Sequence, residues 1–487
     1  MESHVTLIWL RKDLRLADQP ALAAAVARGG AVVPVFIWDD AGEGDWALGG
    51  ASKWWLHQSL AVLGTEIAKR GGQLILRRGD SEKELERLIE STGADAVYWS
   101  RRYEPSIRQR DAGIKSTLKK RGIEAQSFNG ALLHEPHTIQ NKQGRPFQVF
   151  TPYWRHCLAL AKPEPGGDAP TRWPALGRWP ESVSLDDFGL MPALGWASGF
   201  QSVWQPGESG ARQALTAFAK SVIDGYARAR DFPAERGTSR LSPHLHWGEI
   251  SPRQVWAAVK AKGADRGIFP PSKGAQVFLA EIGWREFAYQ LLFHFESTPT
   301  QPLREQFRQF PWRDDPAGKL LKSWQLGQTG YPIVDAGMRQ LWTTGWMHNR
   351  VRMVVGSFLV KHLRLPWQRG AEWFWDTLLD ADLASNTLGW QWSAGCGADA
   401  APYFRIFAPV LQGRKFDGDG DYVRKWVPEI ARLSDKFLHA PWEAPAGVLA
   451  NAGIELGRNY PRPVVDHGEA RAAALAAYKM LRETRPN

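Results

Sequence analysis

Indole, carboxylate, guanidinium and carboxamide groups crowd together at a few points in the C-terminal half of this sequence. Glu281, Trp284 and Arg285 fall within Phe278-Leu-Ala-Glu-Ile-Gly-Trp-Arg-Glu-Phe287. Residues three and four apart share a helix face, so these three project together from an otherwise apolar helix. The bland alternative is a surface ion pair whose stems are covered by the indole. A second group, Trp346, Asn349, Arg350 and Met353, lines one face if Gly345–Met353 is helical. A third runs from Asp380 and Asp382 through Asn386 to Trp390 and Trp392. Small hydroxyl residues gather in Gly237-Thr-Ser-Arg-Leu-Ser242. With free backbone N–H groups leading toward a helix they can hold a phosphate or pyrophosphate. The alternative is an N-cap at Ser242 or Ser251, each followed by proline. Asp-Ala-Asp could cap a helix or bind a metal, but no His or Cys stands at ligand spacing. Asp417-Gly-Asp-Gly-Asp421 lacks the sixth-position glycine and carries Pro428 where a calcium loop needs a bidentate glutamate.

The 25 tryptophans among 487 residues sharpen the question. Indole can fill a core, stack on a flat ligand or a nucleobase, or carry an electron hole. Many of these stand beside charged or amide groups that a greasy core excludes, as in Trp284-Arg285-Glu286 and Trp390-Gln391-Trp392.

The elements that must hold these groups divide the chain. Short apolar runs suited to buried parallel strands recur at Val5–Leu10, Ala31–Trp38, Leu74–Leu76 and Ala96–Trp99. Helical patterns such as Ser52–Lys69 and Glu82–Ser91 separate them. Strands alternating with helices imply an α/β, doubly wound parallel sheet, whose ligands bind at the carboxyl ends of the strands. No G-x-G-x-x-G follows the first strand, so a Rossmann dinucleotide site has little support. From about 163 to 210 the chain is rich in Pro, Gly, Ser and Trp and reads as a connector. Beyond it helical patterns dominate: Ala211–Asp224, Pro252–Lys262, Gln276–Phe295, Pro332–Thr344 and Arg369–Asp380. The expected organisation is an α/β domain over 1–135, a linker over 136–210 and an all-helical domain over 211–487. No apolar run reaches the roughly 18 residues of a membrane span, and the N-terminus becomes charged too early for a secretion signal. The reading is a cytoplasmic protein. Two cysteines, Cys157 and Cys396, support neither a disulfide framework nor a Cys-based metal site. A net charge of +10 suits a polyanion such as nucleic acid, or solubility alone.

Taken together, these stretches resemble the photolyase/cryptochrome family of blue-light flavoproteins. The resemblance runs from Trp9-Leu-Arg-Lys-Asp-Leu-Arg-Leu16 through Gly330-Tyr-Pro-Ile-Val-Asp-Ala-Gly-Met-Arg339 and Trp346-Met-His-Asn-Arg350 to the Asp380–Trp392 run. It implies an α/β antenna domain, a linker, and a helical domain that holds FAD. Trp284 with Asn349 and Met353 is similar to the set found in cyclobutane pyrimidine dimer photolyases. Trp375–Leu383 and the tail Ala452–Pro461 look like plant cryptochromes. A class III dimer photolyase, the group related to plant cryptochromes, fits both; class I is the alternative.

The resemblance implies light-driven splitting of pyrimidine dimers in UV-damaged DNA by reduced anionic FAD. It assigns Tyr226, Thr238, Ser239, Leu241 and Ser242 to the FAD phosphates and ribityl chain. Arg285, Trp346, Arg352, Asp380, Asp382 and Asn386 then surround the flavin. Trp284 and Trp392 clamp the dimer, Met353 packs at its ring edge, and Asn349 and Glu281 hydrogen-bond it. Arg230, Arg405 and Lys415 contact DNA phosphates, and Trp390, Trp367 and Trp312 form an electron-hopping chain. Glu104 stands where the family often contacts an antenna, 5,10-methenyltetrahydrofolate, with Trp54 and Trp55 nearby; a deazaflavin is the alternative. The expected partner is DNA, with no membrane and no obligate protein partner, and the protein is expected to be a monomer. Two rival readings are a blue-light receptor without repair and a dark electron-transfer flavoprotein without nucleic acid.

Overall fold

The computed structural model describes residues 4–160, 164–264 and 267–483. Five parallel strands, β1 (Val5–Leu10), β2 (Ala31–Trp38), β3 (Ile75–Arg78), β4 (Ala96–Ser100) and β5 (Glu124–Phe128), form one sheet in the order β3-β2-β1-β4-β5. Helices α1 (Pro20–Arg28), α2 (Gly50–Ala68), α3 (Ser81–Thr92) and α4 (Pro105–Lys120) alternate with them. β1 and β2 are buried along almost their whole length, as expected of strands covered on both faces. The strand order reverses between β1 and β4, so the crevice at their carboxyl ends is the ligand position for this architecture.

Contacts divide the chain into two units. Unit 1 comprises Met1–Asp224, Ser239–Glu296 and Leu379–Leu383; unit 2 comprises Gly225–Thr238, Ser297–Leu378 and Ala384–Asn487. This division differs from boundaries at 135 and 210. The stretch expected to be a linker packs into unit 1 through specific bonds. The Trp173 indole donates to the Val32 carbonyl (2.8 Å), the Val183 N–H donates to Leu76 (3.0 Å), and the Gly207 N–H donates to Glu249 (2.7 Å). It also contains helix α5 (Phe150–Ala159). Unit 1 carries helices Pro252–Lys262 and Lys273–His294, and Ser251 closes a capping box with Gln254 on the first of these. Ser242 is the first residue of the short helix Ser242–His246 and does not cap it. Unit 2 is helical, with Pro332–Thr344, Asn349–Ser357, Trp367–Thr377 and Leu383–Ala394 its principal helices near the candidate residues. Among the described residues no helix is long and apolar enough to cross a membrane, and no cluster of acidic, His or Cys side chains could hold a metal ion. Asp417 serves the following helix: its carboxylate accepts from the Tyr422 and Val423 N–H groups at 2.9 and 3.0 Å.

One buried acid sits beneath the candidate site. Glu286, 2% exposed, accepts from the Leu133 and His134 N–H groups at 2.9 and 3.2 Å. Burial pushes its carboxyl up to about 7, against the pull of Arg285 and those two donors. A raised carboxyl favours the folded state while it is protonated. That contribution is complete below the ordinary value near 4.5 and is lost as pH rises through about 7. Glu286→Gln, a neutral isostere, is therefore expected to stabilise the protein by about 3 kcal/mol above neutrality and by little in mild acid. Thermal unfolding of both proteins on either side of neutrality checks this; an equal difference at both pH values refutes it.

Candidate functional site

In unit 1, helix Lys273–His294 presents Glu281, Trp284, Arg285 and Tyr289 within nine residues. Trp284 does not stand alone. Its ring stacks on Phe150 with centroids 3.9 Å apart and planes 9° from parallel. Phe150 opens α5, and the close approach of α5 needs a glycine: a Cβ at Gly283 would meet the Trp154 ring. One indole face is thus covered, and Trp284 remains partly exposed. Phe150 was invisible in the sequence, 134 residues from Trp284 within the apparent linker.

Arg285 is fixed by backbone. Its guanidinium donates to the Ala131 carbonyl at 2.7 Å and the Leu245 carbonyl at 3.4 Å, and lies 4.9 Å over the Tyr289 ring. The Tyr289 hydroxyl donates to Asp382 at 2.5 Å. Burial pushes the Asp382 carboxyl up, but the His246 ring, Arg285 and the Tyr289 hydroxyl overcome it and hold the acid well below the usual range. Unit 1 therefore sets a guanidinium and an ionised carboxylate on rigid supports, with Asp380 two residues from Asp382. The turn Ser239–Ser242 adds two hydroxyls, and the Ser239 hydroxyl accepts from the Leu241 N–H at 3.4 Å.

Unit 2 holds the remaining candidates. Trp346 precedes the helix rather than sharing its face, because His348 caps Asn349–Ser357 by accepting from the Arg350 N–H at 3.2 Å. The early polar turn, not the side-chain periodicity, sets that boundary. Burial pushes the His348 imidazole down to about 4. Arg350 pairs with Asp231 at 2.6 Å and donates to the Met353 sulfur at 3.7 Å. The Arg352 Nε donates to the Met347 carbonyl at 2.8 Å, and its guanidinium lies 6.0 Å over Trp346. Asn349 is exposed at the helix start. Tyr226 is buried beneath the Arg230 guanidinium, 5.4 Å from its ring, and Thr238 is partly exposed.

On helix Leu383–Ala394, the Asn386 amide nitrogen donates to the Ala371 carbonyl at 3.1 Å. That orientation uses one of the two Nδ2 hydrogens and leaves Oδ1 and the second hydrogen for a ligand. Trp390 is buried with no partner for its Nε1. Its six-membered ring lies on the backbone of helix Trp367–Thr377, at Gly370, where any Cβ would collide with it. Its ring neighbours are Phe374 at 5.0 Å and Trp324 at 6.1 Å. Trp324 was not singled out by sequence; it is fully buried and its Nε1 donates to Val355. Trp367 is buried at the helix start, and Trp312 is partly exposed against Phe310 at 4.5 Å. Trp392 is also partly exposed. Arg405 and Lys415 are exposed. The Arg405 carbonyl accepts at 2.8 Å from Lys361, a buried ammonium that burial lowers to about 8.

Two cavities open in unit 1 at the carboxyl ends of the strands. One, at β1 and β2, is walled by Trp9, Phe36, Trp38 and Trp247 and carries Arg11, Lys12, Arg102 and Arg110. The other, at the β1/β4 crevice, includes Lys12, Glu104, His246, Arg285 and Tyr289. Glu104 is already occupied: Lys12 donates to it at 3.0 Å and Arg102 at 2.8 Å. Burial raises its carboxyl, but those cations hold it well below the usual range. Trp54 and Trp55 are packing residues. Trp54 meets Phe200 edge-on at 5.3 Å, and the Trp55 indole donates to Glu249 at 3.0 Å.

The geometry matches known proteins along its whole length. The family model described as the FAD binding domain of DNA photolyase matches residues 278–480, and that described as DNA photolyase matches residues 6–174. A deoxyribodipyrimidine photo-lyase of Agrobacterium fabrum is 51% identical over 485 residues, covering 99% of each chain. Cryptochrome-2 of Arabidopsis thaliana is 42% identical over 98% of this chain and 79% of its own. The crystal structure of a bacterial class III photolyase from Agrobacterium tumefaciens superposes with a TM-score of 0.95 at 50% identity, covering 99% of each chain. An N-terminal parallel sheet followed by a helical FAD-binding domain is the architecture they share, and the chain belongs to the photolyase/cryptochrome family.

Proposed function

We propose that this protein is a class III cyclobutane pyrimidine dimer photolyase that repairs UV-damaged DNA in light. The observation that carries the reading is full-length identity of 51% to a photo-lyase, with Trp284 standing as a braced, half-open indole among the dimer-clamp candidates. The donor set fits FAD. Hydroxyls at Thr238, Ser239 and Ser242 suit phosphate oxygens, and the Arg285 guanidinium, the Asp382 carboxylate and the Asn386 carbonyl oxygen suit the polar edge of an isoalloxazine. The chemistry supplied by bound, reduced FAD is a light-driven electron to the dimer, recovered after two carbon–carbon bonds open.

The chain's own residues do the rest. Tyr226 and Leu241 hold the cofactor beside those hydroxyls, while Asp380, Trp346 and Arg352 shape the flavin's surroundings. Extruding a dimer costs a few kcal/mol, less for a damaged pair. Trp284 and Trp392 offset this by stacking, at about 1–3 kcal/mol per base. Asn349 and Glu281 hydrogen-bond the pyrimidine edges and Met353 packs beside them. Arg230, Arg405 and Lys415 hold phosphates, which position the duplex without reading sequence. Trp390, Trp367 and Trp312 pass electrons inward to restore reduced FAD.

An antenna in the α/β unit completes this reading. The cavity walled by Trp9, Phe36, Trp38 and Trp247 is aromatic and carries four cations against the two acids Asp39 and Glu43, which suits an anionic pteridine such as 5,10-methenyltetrahydrofolate. Glu104, tied to Lys12 and Arg102, shapes the neighbouring crevice.

The deciding experiment is light-dependent repair of a dimer-containing oligonucleotide by fully reduced protein. Repair is expected in light and none in darkness; no repair in light overturns the reading and favours a receptor. Binding should weaken steeply with salt. Arg405→Ala and Lys415→Ala should each weaken binding about equally on all sequences and lower the log–log salt slope by about 1. An unchanged slope would remove that residue from the phosphate contacts.

A further inference from the structure

His246 is a histidine without a job in the scheme above. It is 3% exposed, and neither ring nitrogen has a hydrogen-bond partner. Buried polar atoms are nearly always paired, and an orphan needs a reason. The ring packs edge-on against Trp247 at 4.9 Å. Its Nδ1 lies 3.9 Å from the Asp382 carboxylate, one water's reach rather than a direct bond. The same ring lines the crevice between β1 and β4, with Lys12, Ser100, Glu104, Arg285 and Tyr289. The imidazole thus touches a polar cavity on one side and an acid of the proposed flavin pocket on the other.

We infer that His246 is the redox-linked proton acceptor of the FAD pocket: when reduction adds negative charge beside Asp382, a proton enters through the crevice and rests on this imidazole. The inference rests on the reading that Asp382 faces the flavin. In this scheme the imidazole is neutral before reduction. Burial holds it below its ordinary value, Lys12 at the end of β1 adds to that, and Asp382 and Asp380 oppose it. Asp13, Arg101, Arg102, Tyr103 and Glu104, with Arg285 and Tyr289 from helix Lys273–His294, are the other charged and titratable groups lining the cavity beside it. In a poorly screened interior one added negative charge tips such a balance. The proton count follows. Two electrons and one proton convert oxidised FAD to its reduced anion, and the imidazole takes a second proton; both protons are taken up from bulk solvent. The amide of Asn386 has no acidic proton to give, so it does not compete for this role.

Two measurements test the inference. The first is spectroelectrochemical titration of FAD-loaded protein across the neutral pH range, where an electrode supplies the electrons and the pH dependence gives protons per electron pair. The protein is expected to take up more than one proton, and His246→Gln one. The second is NMR of histidine-labelled protein, which reads the unaltered side chain and does not depend on the variant folding. His246 should be neutral with oxidised FAD and protonated after reduction. A neutral imidazole in both states, or equal uptake with and without His246, overturns the inference. Asp382→Asn separates the underlying reading: if that protein retains FAD with an unchanged flavin spectrum, Asp382 does not face the flavin, whatever His246 does.

Discussion

Trp390→Phe is expected to abolish photoreduction of oxidised FAD while leaving dimer repair by chemically reduced protein close to that of the parent. The indole gives up an electron far more easily than a phenyl ring of similar shape, so the substitution removes the donor and keeps most of the packing. In the proposed role Trp390 is a relay rather than an end point. Trp390 is 3% exposed and its Nε1 has no acceptor. An oxidised indole there cannot shed its proton and must draw an electron from elsewhere. Helix Trp367–Thr377 is the obvious conductor, because the Trp390 ring lies directly on its backbone at Gly370, one turn after Trp367. The missing ring atoms leave a small cavity beside Gly370, costing about 1–3 kcal/mol of stability. FAD content and thermal unfolding therefore accompany the assay. Photoreduction that survives, or repair lost in the chemically reduced variant, would separate Trp390 from the proposed role.

How much of this could be read from the chain depends on whether a feature is local. β1 and β2 have the bounds expected of continuous apolar runs, Val5–Leu10 and Ala31–Trp38. β5 was missed because its sequence, EAQSF, lies at a sheet edge and is only partly buried. Helices Pro252–Lys262 and Pro332–Thr344 begin at prolines and have the expected bounds. The stretch around Trp346 was misread as helix for a local reason: its spacing is helical, but the His348 cap starts the helix later. The connector could not be read correctly at all. Its Pro-, Gly- and Trp-rich composition describes a chain without periodicity, while its bonds to Val32, Leu76 and Glu249 come from residues far away in sequence. The same limit hid Phe150 beneath Trp284, Trp324 beside Trp390, and the orphaned ring of His246. The family resemblance implied a flavin and a lesion clamp; only tertiary structure shows what packs around the residues assigned to them.

Bracing gives Trp284 its own test. Trp284→Ala is expected to weaken binding of dimer-containing DNA roughly ten- to hundredfold, the equivalent of about 1–3 kcal/mol for one stacked base. Undamaged DNA should bind almost as before, because phosphate contacts dominate that interaction and Trp284 makes none. Phe150 lies parallel to the indole at 3.9 Å and occupies one of its faces, so a lesion can stack only on the other. Holding the ring in advance spares the side-chain ordering, about 0.5–1.5 kcal/mol, that a free indole would pay on binding. Phe150→Ala should therefore weaken lesion binding by a smaller factor, about two- to tenfold, although Phe150 has only 9% of its surface exposed and its covered face meets no lesion. The double variant should lose little more than Trp284→Ala alone, since a brace without its indole has nothing to hold. Competition binding with damaged and undamaged duplexes of one sequence reads all three. Equal losses on both duplexes would make Trp284 a general support of the fold, and additive losses from the two substitutions would show that Phe150 acts elsewhere.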